Sequence, residues 1–252
     1  MLPLVRPYEY LIIESLITNA GKISIADAKR RLRHSVRNYR MEAFDHAVHY
    51  MIESGFVKEV SGELSLNNVD RDMAFESYLL DLLEYGLNQY DIDFYDETSE
   101  DEFKLWAKYR KEQVQQLLLN NPKDIMLGTK IYDGIVYAYV TVIKDKATNE
   151  NLKYADGYID ENTFQWETVA NVSDRELEAL KQSHSARIFV RKVENEDGIQ
   201  LPFTYIGSGT MQYIEGSKKP NGAHLFRIPM EEPAPQDLYF DFKLPDVEGR
   251  TI

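Results

Sequence analysis

"GTKIYDGIVYAYVTVIKD", residues 128–145, is the stretch on which the fold class turns. Before it, apolar residues recur at three- and four-residue spacing. Within it they recur every second residue and are mostly Val, Ile and Tyr, the period and composition of β-strands. Asp133-Gly134 divides it as a two-residue hairpin turn does. Downstream, "ENTFQWETVA", "SARIFVRKVE", "LPFTYIGSGTMQYIEG", "AHLFRIPM" and "DLYFDFKLP" read as further short strands separated by turn residues. One helix interrupts them, "SDRELEALKQSH", with Ser173 as N-cap and Glu176 completing a capping box. The C-terminal half is therefore expected to be a mostly antiparallel bent sheet or barrel.

Upstream the pattern is helical. "PYEYLIIESLITNAG" carries Tyr10, Ile13, Leu16 and Ile17 at helical spacing and stops at Gly21. Ser24 and Asp27 start a short helix, and Phe44, Ala47, Val48, Met51 and Ile52 form the stripe of a third one ending at Gly55. "FVKEVSGELSL" follows as two strands around Ser61-Gly62. Helix, short helix, longer helix and hairpin is the order of a winged-helix-like domain, expected over 1–70. Residues 71–102 read as an acidic helical linker, with Phe75, Leu79, Leu82, Leu83 and Leu87 recurring at three- and four-residue spacing. "EFKLWAKYRKEQVQQLLLNN" repeats that pattern through Leu105, Tyr109, Val114, Leu117 and Leu118, and the third domain is placed at 103–252. The fold class is thus α+β.

The net charge of −13 argues against a nucleic-acid binder, but the average misleads. Residues 1–70 hold nine basic and nine acidic side chains, 71–102 hold one and eleven, and 103–252 hold nineteen and twenty-two. Most of the excess sits in one block. "KRRLRHSVRNYR" supplies Lys29, Arg30, Arg31, Arg33, Arg37 and Arg40, which suit either a phosphate backbone or a solvated face that pairs with carboxylates. With no cysteine, disulfides, thiolate nucleophiles and cysteine zinc sites are excluded, in keeping with a reducing cytoplasm. "MLPLVRPYEYLIIESLITNAG" is broken by Arg6, Pro7, Glu9 and Glu14, too polar for a spanning segment or a signal peptide.

Catalytic patterns are scarce. There is no GxSxG, HExxH, P-loop or GxGxxG. "GSGT" at 207–210 suits a strand or bulge better than a phosphate cradle. His46 and His49 share a helix face but lack a third ligand nearby, and Asp91, Asp93, Asp96 and Glu97 lack the glycine and glutamate of an EF-hand. No cofactor, metal or catalytic residue is expected.

"TFQWETVAN", residues 163–171, puts Phe164 and Trp166 on one face of a strand and Gln165 and Glu167 on the other. Two readings stand: a half-buried core strand, or an aromatic surface that stacks on something flat.

An ordered set of motifs adds a resemblance. "WAKYRKEQVQQLLL", "GTKIYDGIVYAYVTVIK", "YADGYIDENTFQWETVANVS", "ARIFVRK" and "LPFTYIGSG" follow one another across roughly 103–245. The stretch resembles a C-terminal domain of long-uncertain function in superfamily-2 DNA helicases, some of which are joined to a phospholipase-D-type nuclease as modification-dependent restriction enzymes. That domain is similar to the SET-and-RING-associated (SRA-like) fold, which reads 5-methylcytosine by flipping the base into a pocket. The resemblance implies a non-catalytic module reading double-stranded DNA with a modified cytosine, the specificity part of a restriction or phage-defence system. A flipped base needs aromatic stacking and hydrogen bonds along its Watson-Crick edge, and a carboxylate accepts from the cytosine N4 amino group. The resemblance makes Asp156 the edge reader and Trp166, Phe164, Tyr154 and Tyr158 the base-binding rings. Arg187, Arg191 and Lys192, with Arg30, Arg31 and Arg33 of the basic run, would then meet phosphates. The alternative is a protein-interaction or regulatory subunit, whose winged helix and acidic block contact a helicase or nuclease partner or imitate DNA.

Overall fold

The computed structural model describes residues 2, 4–36, 39–67, 72–94, 103–118, 128–144 and 155–244. Arg37, Asp96, Glu97 and Tyr154 lie outside these. The chain is α+β and divides into two compact units, 1–102 with 112–125, and 103–111 with 126–252.

The first unit runs α1 (Pro7–Thr18), β1 (Lys22–Ser24), α2 (Ile25–Ser35), α3 (Met41–Glu53), β2 (Val57–Val60), β3 (Glu63–Leu66) and α4 (Met73–Phe94). The expected helix boundaries hold for local reasons. Gly21 ends α1 with φ of +84°, and the Ser24 hydroxyl accepts the Asp27 N–H at 3.0 Å to start α2. β1 is an addition: Lys22–Ser24 pairs with Glu63–Ser65 and makes the hairpin a three-stranded sheet in the order β1-β3-β2. Ile12, Ile13, Leu16, Leu32, Phe44 and Met51 are fully buried at its centre.

In the second unit, β4 (Lys108–Tyr109) precedes α5 (Lys111–Leu117), whose residues from 112 on belong to the first unit. β5 (Thr129–Tyr132) and β6 (Ile135–Thr141) follow, then β7 (Gly157–Asp160), β8 (Thr163–Glu167), α6 (Asp174–Gln182) and β9 (Ser185–Arg191). The chain closes with β10 (Asn195–Glu196), β11 (Ile199–Gln200), β12 (Phe203–Thr210), β13 (Gln212–Tyr213), β14 (Leu225–Pro229) and α7 (Gln236–Phe242). Two main sheets result, β4-β12-β9-β6-β5 and β13-β14-β8-β7. The Asp133-Gly134 turn has both residues at positive φ, +49° and +76°, as a type I′ hairpin demands. Ser173 caps α6 by accepting the Glu176 N–H at 3.2 Å. "GSGT" belongs to β12, whose register against β9 shifts between Tyr205 and Gly207, and a Cβ on Gly209 would lie 2.5 Å from the Pro229 carbonyl.

Two expectations fail. The helix read over 103–119 begins only at Lys111, because Trp106 takes φ of +67° and Tyr109 pairs with Phe203 as an edge strand. Phe103 and Tyr109 thereby join a buried aromatic group with Phe189 at centroid distances of 5.2 and 6.1 Å, so tertiary packing overrides a weak helical period. "DLYFDFKLP" is helical over its first six residues, with Leu238, Tyr239 and Phe242 turned to the core at helical spacing. The sheets are mostly antiparallel, as expected; β6 and β9 run parallel because β7, β8 and α6 intervene as a crossover.

Alternation along β6 and β9 sends Val136, Ala138, Val140, Ala186, Ile188 and Val190 into one aliphatic core. Tyr137, Tyr139 and Phe189 go to the opposite, aromatic face.

Candidate functional site

β8 carries the residues on which the site turns. Phe164 and Trp166 both face the core: Phe164 meets Tyr158 edge-on at 5.2 Å, and the Trp166 indole lies 5.6 Å from the Phe226 ring. The indole is 4% exposed and the Phe164 ring not at all. Tyr158 is equally deep, and burial drives its hydroxyl pKa far up. That hydroxyl has no hydrogen-bond partner among the described residues.

Asp156 sits just before β7. Gly157 starts that strand at φ of +151°, where a Cβ would lie 2.8 Å from both the Leu244 nitrogen and the Phe242 carbonyl oxygen. The Asp156-Gly157 pair is thus no turn; glycine is required because the segment after α7 crosses against its backbone. Leu244 N–H donates to the Tyr158 carbonyl at 2.9 Å and fixes that crossing. Asp156 in turn accepts the Glu167 N–H through Oδ1 at 2.9 Å, while Lys144 Nζ lies 3.6 Å from Oδ2. Burial raises the Asp156 carboxyl to about 6. The Lys144 charge and the Glu167 N–H oppose that rise, and the Glu167 carboxylate adds to it.

Glu167 breaks the alternation of β8. By strand period it belongs with half-buried Gln165, yet it is 4% exposed. Beyond β14 the pairing with β8 continues irregularly: Thr168 N–H donates to the His224 carbonyl at 2.9 Å, and Asn171 N–H to the Asn221 carbonyl at 3.2 Å. This holds the connection between β13 and β14 over the end of β8 and brings Lys219 Nζ into an ion pair with Glu167 Oε1. Glu167 Oε2 is buried and has no hydrogen-bond partner among the described residues. Lys144, Asp156, Glu167 and Lys219 form one chain in which two neighbouring carboxylates lie inside, each paired with a lysine whose side chain, 19% and 27% exposed, leads outward.

Glu167, Lys144 and Lys219 were not singled out from sequence. The one local signal was Glu167 itself, an acid directly after the aromatic pair; its burial depends on a connection some fifty residues downstream.

The cations expected at phosphate lie elsewhere and have protein partners. Arg191 is buried, donating to Thr141 Oγ1 at 2.9 Å, the Leu201 carbonyl at 3.2 Å and Glu194 Oε1 at 2.9 Å, above the Phe203 ring. Arg187 donates to the Tyr137 hydroxyl at 3.3 Å, and Lys192 pairs with Asp241 at 2.7 Å at the surface. In the first unit Arg30 pairs with Asp27, Arg31 with Glu14 at 2.6 Å, and Arg33 lies over Tyr39 at 5.8 Å.

The model of a domain of unknown function, DUF3427, matches residues 103–242, more than half of the chain. The chain belongs to the DUF3427 family. The matched span contains Lys144, Asp156, Glu167 and Lys219. No curated protein matches the chain. Among solved structures, the 5-hydroxymethylcytosine-specific restriction enzyme AbaSI aligns at 11% identity over 70% of this chain, with a TM-score of 0.24. This chain spans 61% of the length of that enzyme. No helix of the described residues is long and apolar enough to cross a membrane.

Proposed function

We propose that the chain is a non-catalytic DNA-recognition module that reads a modified cytosine in duplex DNA, the specificity part of a restriction or defence system. The observation that carries this reading is the buried charge at the end of β8. Burying carboxylates costs several kcal/mol per ion unless each lone pair is satisfied, and here Glu167 Oε2 has no hydrogen bond among the described residues while Asp156 is pushed toward its neutral form. Titratable groups perturbed by burial and by a specific charge partner concentrate at functional sites. Cytosine presents an N4 amino donor that a carboxylate accepts, and lysines at the mouth suit the flanking phosphates.

In this reading Asp156 and Glu167 face the Watson-Crick edge of a base flipped out of the stack. Phe164, Trp166 and Tyr158 hold β7 and β8 rigid behind them, and Lys144 and Lys219 neutralise approaching phosphate. The second unit is then an SRA-like bent sheet. The first, with its order helix, strand, helix, helix, strand, strand, is a winged helix.

The test is an electrophoretic shift at low salt on methylated, hydroxymethylated and plain duplexes. One modified duplex is expected to bind at least about tenfold tighter than the plain one, the effect of one good base contact. Glu167→Met, which removes the acceptor for the N4 amino group that all three cytosines share, is expected to weaken binding to each duplex. Equal binding to all three duplexes, or none, overturns the reading.

A second reading, a subunit that contacts a protein partner, is favoured by a different observation: the apolar side chains that α4 leaves exposed.

A further inference from the structure

α4 is apolar on two separate stripes. One, with Leu79, Leu80 and Leu83, packs into the first unit's core, where Gly86 comes so close to Val5 that a Cβ would lie 2.8 Å from its Cγ2. The other is turned to solvent: Phe75 is 50% exposed, Tyr78 61%, Leu82 37%, Tyr85 65% and Ile92 74%. Their spacing, with exposed Gln89 between the last two, is three, four, three, four, three. That is the a/d period of a helix seam, drifting slowly enough around the helix to keep facing one partner along about 26 Å, the rise from Phe75 to Ile92 at about 1.5 Å per residue. Gln89 occupies an a-type position, where a polar residue specifies register at some cost in stability.

Charge selects the occupant. Asp81 flanks the seam at a g-type position, Glu84 and Asp91 lie farther out on the same side, and α4 contains no lysine or arginine at all. A second copy of this chain would bring together two helices whose only charged side chains are carboxylates, with no counter-charge between them. A helix with cationic flanks meets complementary charge instead.

We propose that the outer face of α4 receives an amphipathic helix of a partner protein, apolar at three-four spacing and flanked by lysine or arginine. This deepens the protein-contact reading and is independent of the DNA reading. The partner helix covers Tyr78, Leu82 and Tyr85 at the centre of the seam, and its cations lie nearest Asp81, with Glu84 and Asp91 farther out on the same side.

The full chain is titrated with fluorescein-labelled peptides that carry leucine at a and d and either lysine or glutamate at e and g, with a scrambled lysine peptide as control. The lysine peptide is expected to bind at least about tenfold tighter than the glutamate peptide at low salt, the gap narrowing as salt rises. The double variant Leu82→Glu, Tyr85→Glu is expected to lose that binding with an unchanged far-ultraviolet circular dichroism spectrum, since both side chains are exposed. Because the variant is more acidic, residual binding equal to wild type reveals mere charge attraction and overturns the proposal. Equal binding of lysine and glutamate peptides overturns the cationic flank alone. Binding of neither removes the protein-contact reading at α4 as well. A concentration-dependent dimer in sedimentation, abolished by the variant, assigns the face to a second copy and overturns the proposal too.

Discussion

Each unit buries a carboxylate in an ion pair, and the two pairs are built differently. In the first unit Glu9 is inaccessible and every side of it is used. It accepts the Arg6 backbone N–H at 3.0 Å, Arg6 Nε at 3.0 Å and Gln116 Nε2 at 3.2 Å, and Gln116 is itself held by both backbone groups of Leu4. In the second unit Glu167 keeps one oxygen without a hydrogen bond among the described residues, and Asp156 receives a backbone N–H and a lysine at 3.6 Å. A saturated buried network fixes structure: it closes the α1 capping box and ties α5 residues to the N-terminal segment. An under-satisfied one is a standing cost to the fold, and such a cost is expected where function requires the groups.

That contrast breaks if the two carboxylates respond alike to removal of charge. The largest effect is expected for Glu9→Gln, which leaves the Arg6 guanidinium buried without its counter-ion; chemical denaturation should register a loss of about 3–5 kcal/mol. Next comes the pH response of Asp156. Its folded pKa of about 6 stands above the ordinary 3.8, so the folded state holds a proton that the unfolded state releases between those values. Stability from this group is therefore greatest below pH 4 and declines as pH rises through 6, by roughly 3 kcal/mol in all at 1.36 kcal/mol per unit. Asp156→Asn removes the dependence, so urea unfolding of variant and wild type should diverge from pH 4 to pH 7 in favour of the variant. A constant difference would mean that the Asp156 carboxyl is not perturbed by burial. The smallest effect is expected for Glu167→Gln, about 1 kcal/mol or less, because Lys219 is free to turn its ammonium to water. A loss as large as that of Glu9→Gln would make the two pairs equivalent and remove the physical ground for reading one of them as a site.

How much of this was legible depends on the range of the cause. The switch from helical to strand period at 128–145, the Asp133-Gly134 turn and the Ser24 and Ser173 caps are local, and each element begins or ends where its residues demand. "DLYFDF" has the apolar content of a strand as much as of a helix, and only the core that receives Leu238 and Phe242 decides between them. Tyr109 is helical by spacing, but it becomes a strand residue because Phe203 offers it an edge. On α4 a single apolar stripe was expected through Phe75, Leu79, Leu82, Leu83 and Leu87; the structure assigns Leu79 and Leu83 to the core and Phe75 and Leu82 to solvent. The distinction needs the partner surface, which sequence period does not contain. Asp156 was reached through a family resemblance, whereas Glu167 is buried by a distant connection, and nothing in "TFQWE" announces it.

The parallel pairing of β6 with β9 also has a consequence in time. Ile135–Thr141 cannot meet Ser185–Arg191 until the chain between them has been made and has gathered, and Tyr109 waits longer still for Phe203. Contacts of such separation are slow to form, because loop closure must be achieved before any burial rewards it. The helices and hairpin of the first unit lie between Pro7 and Phe94, and the Gln116 bonds to Leu4 and Glu9 are complete once α5 has been made. During synthesis the helical unit is therefore the early folder, and β8, which carries buried Glu167 and needs β14 and Lys219, is among the last parts of the chain to reach its final surroundings.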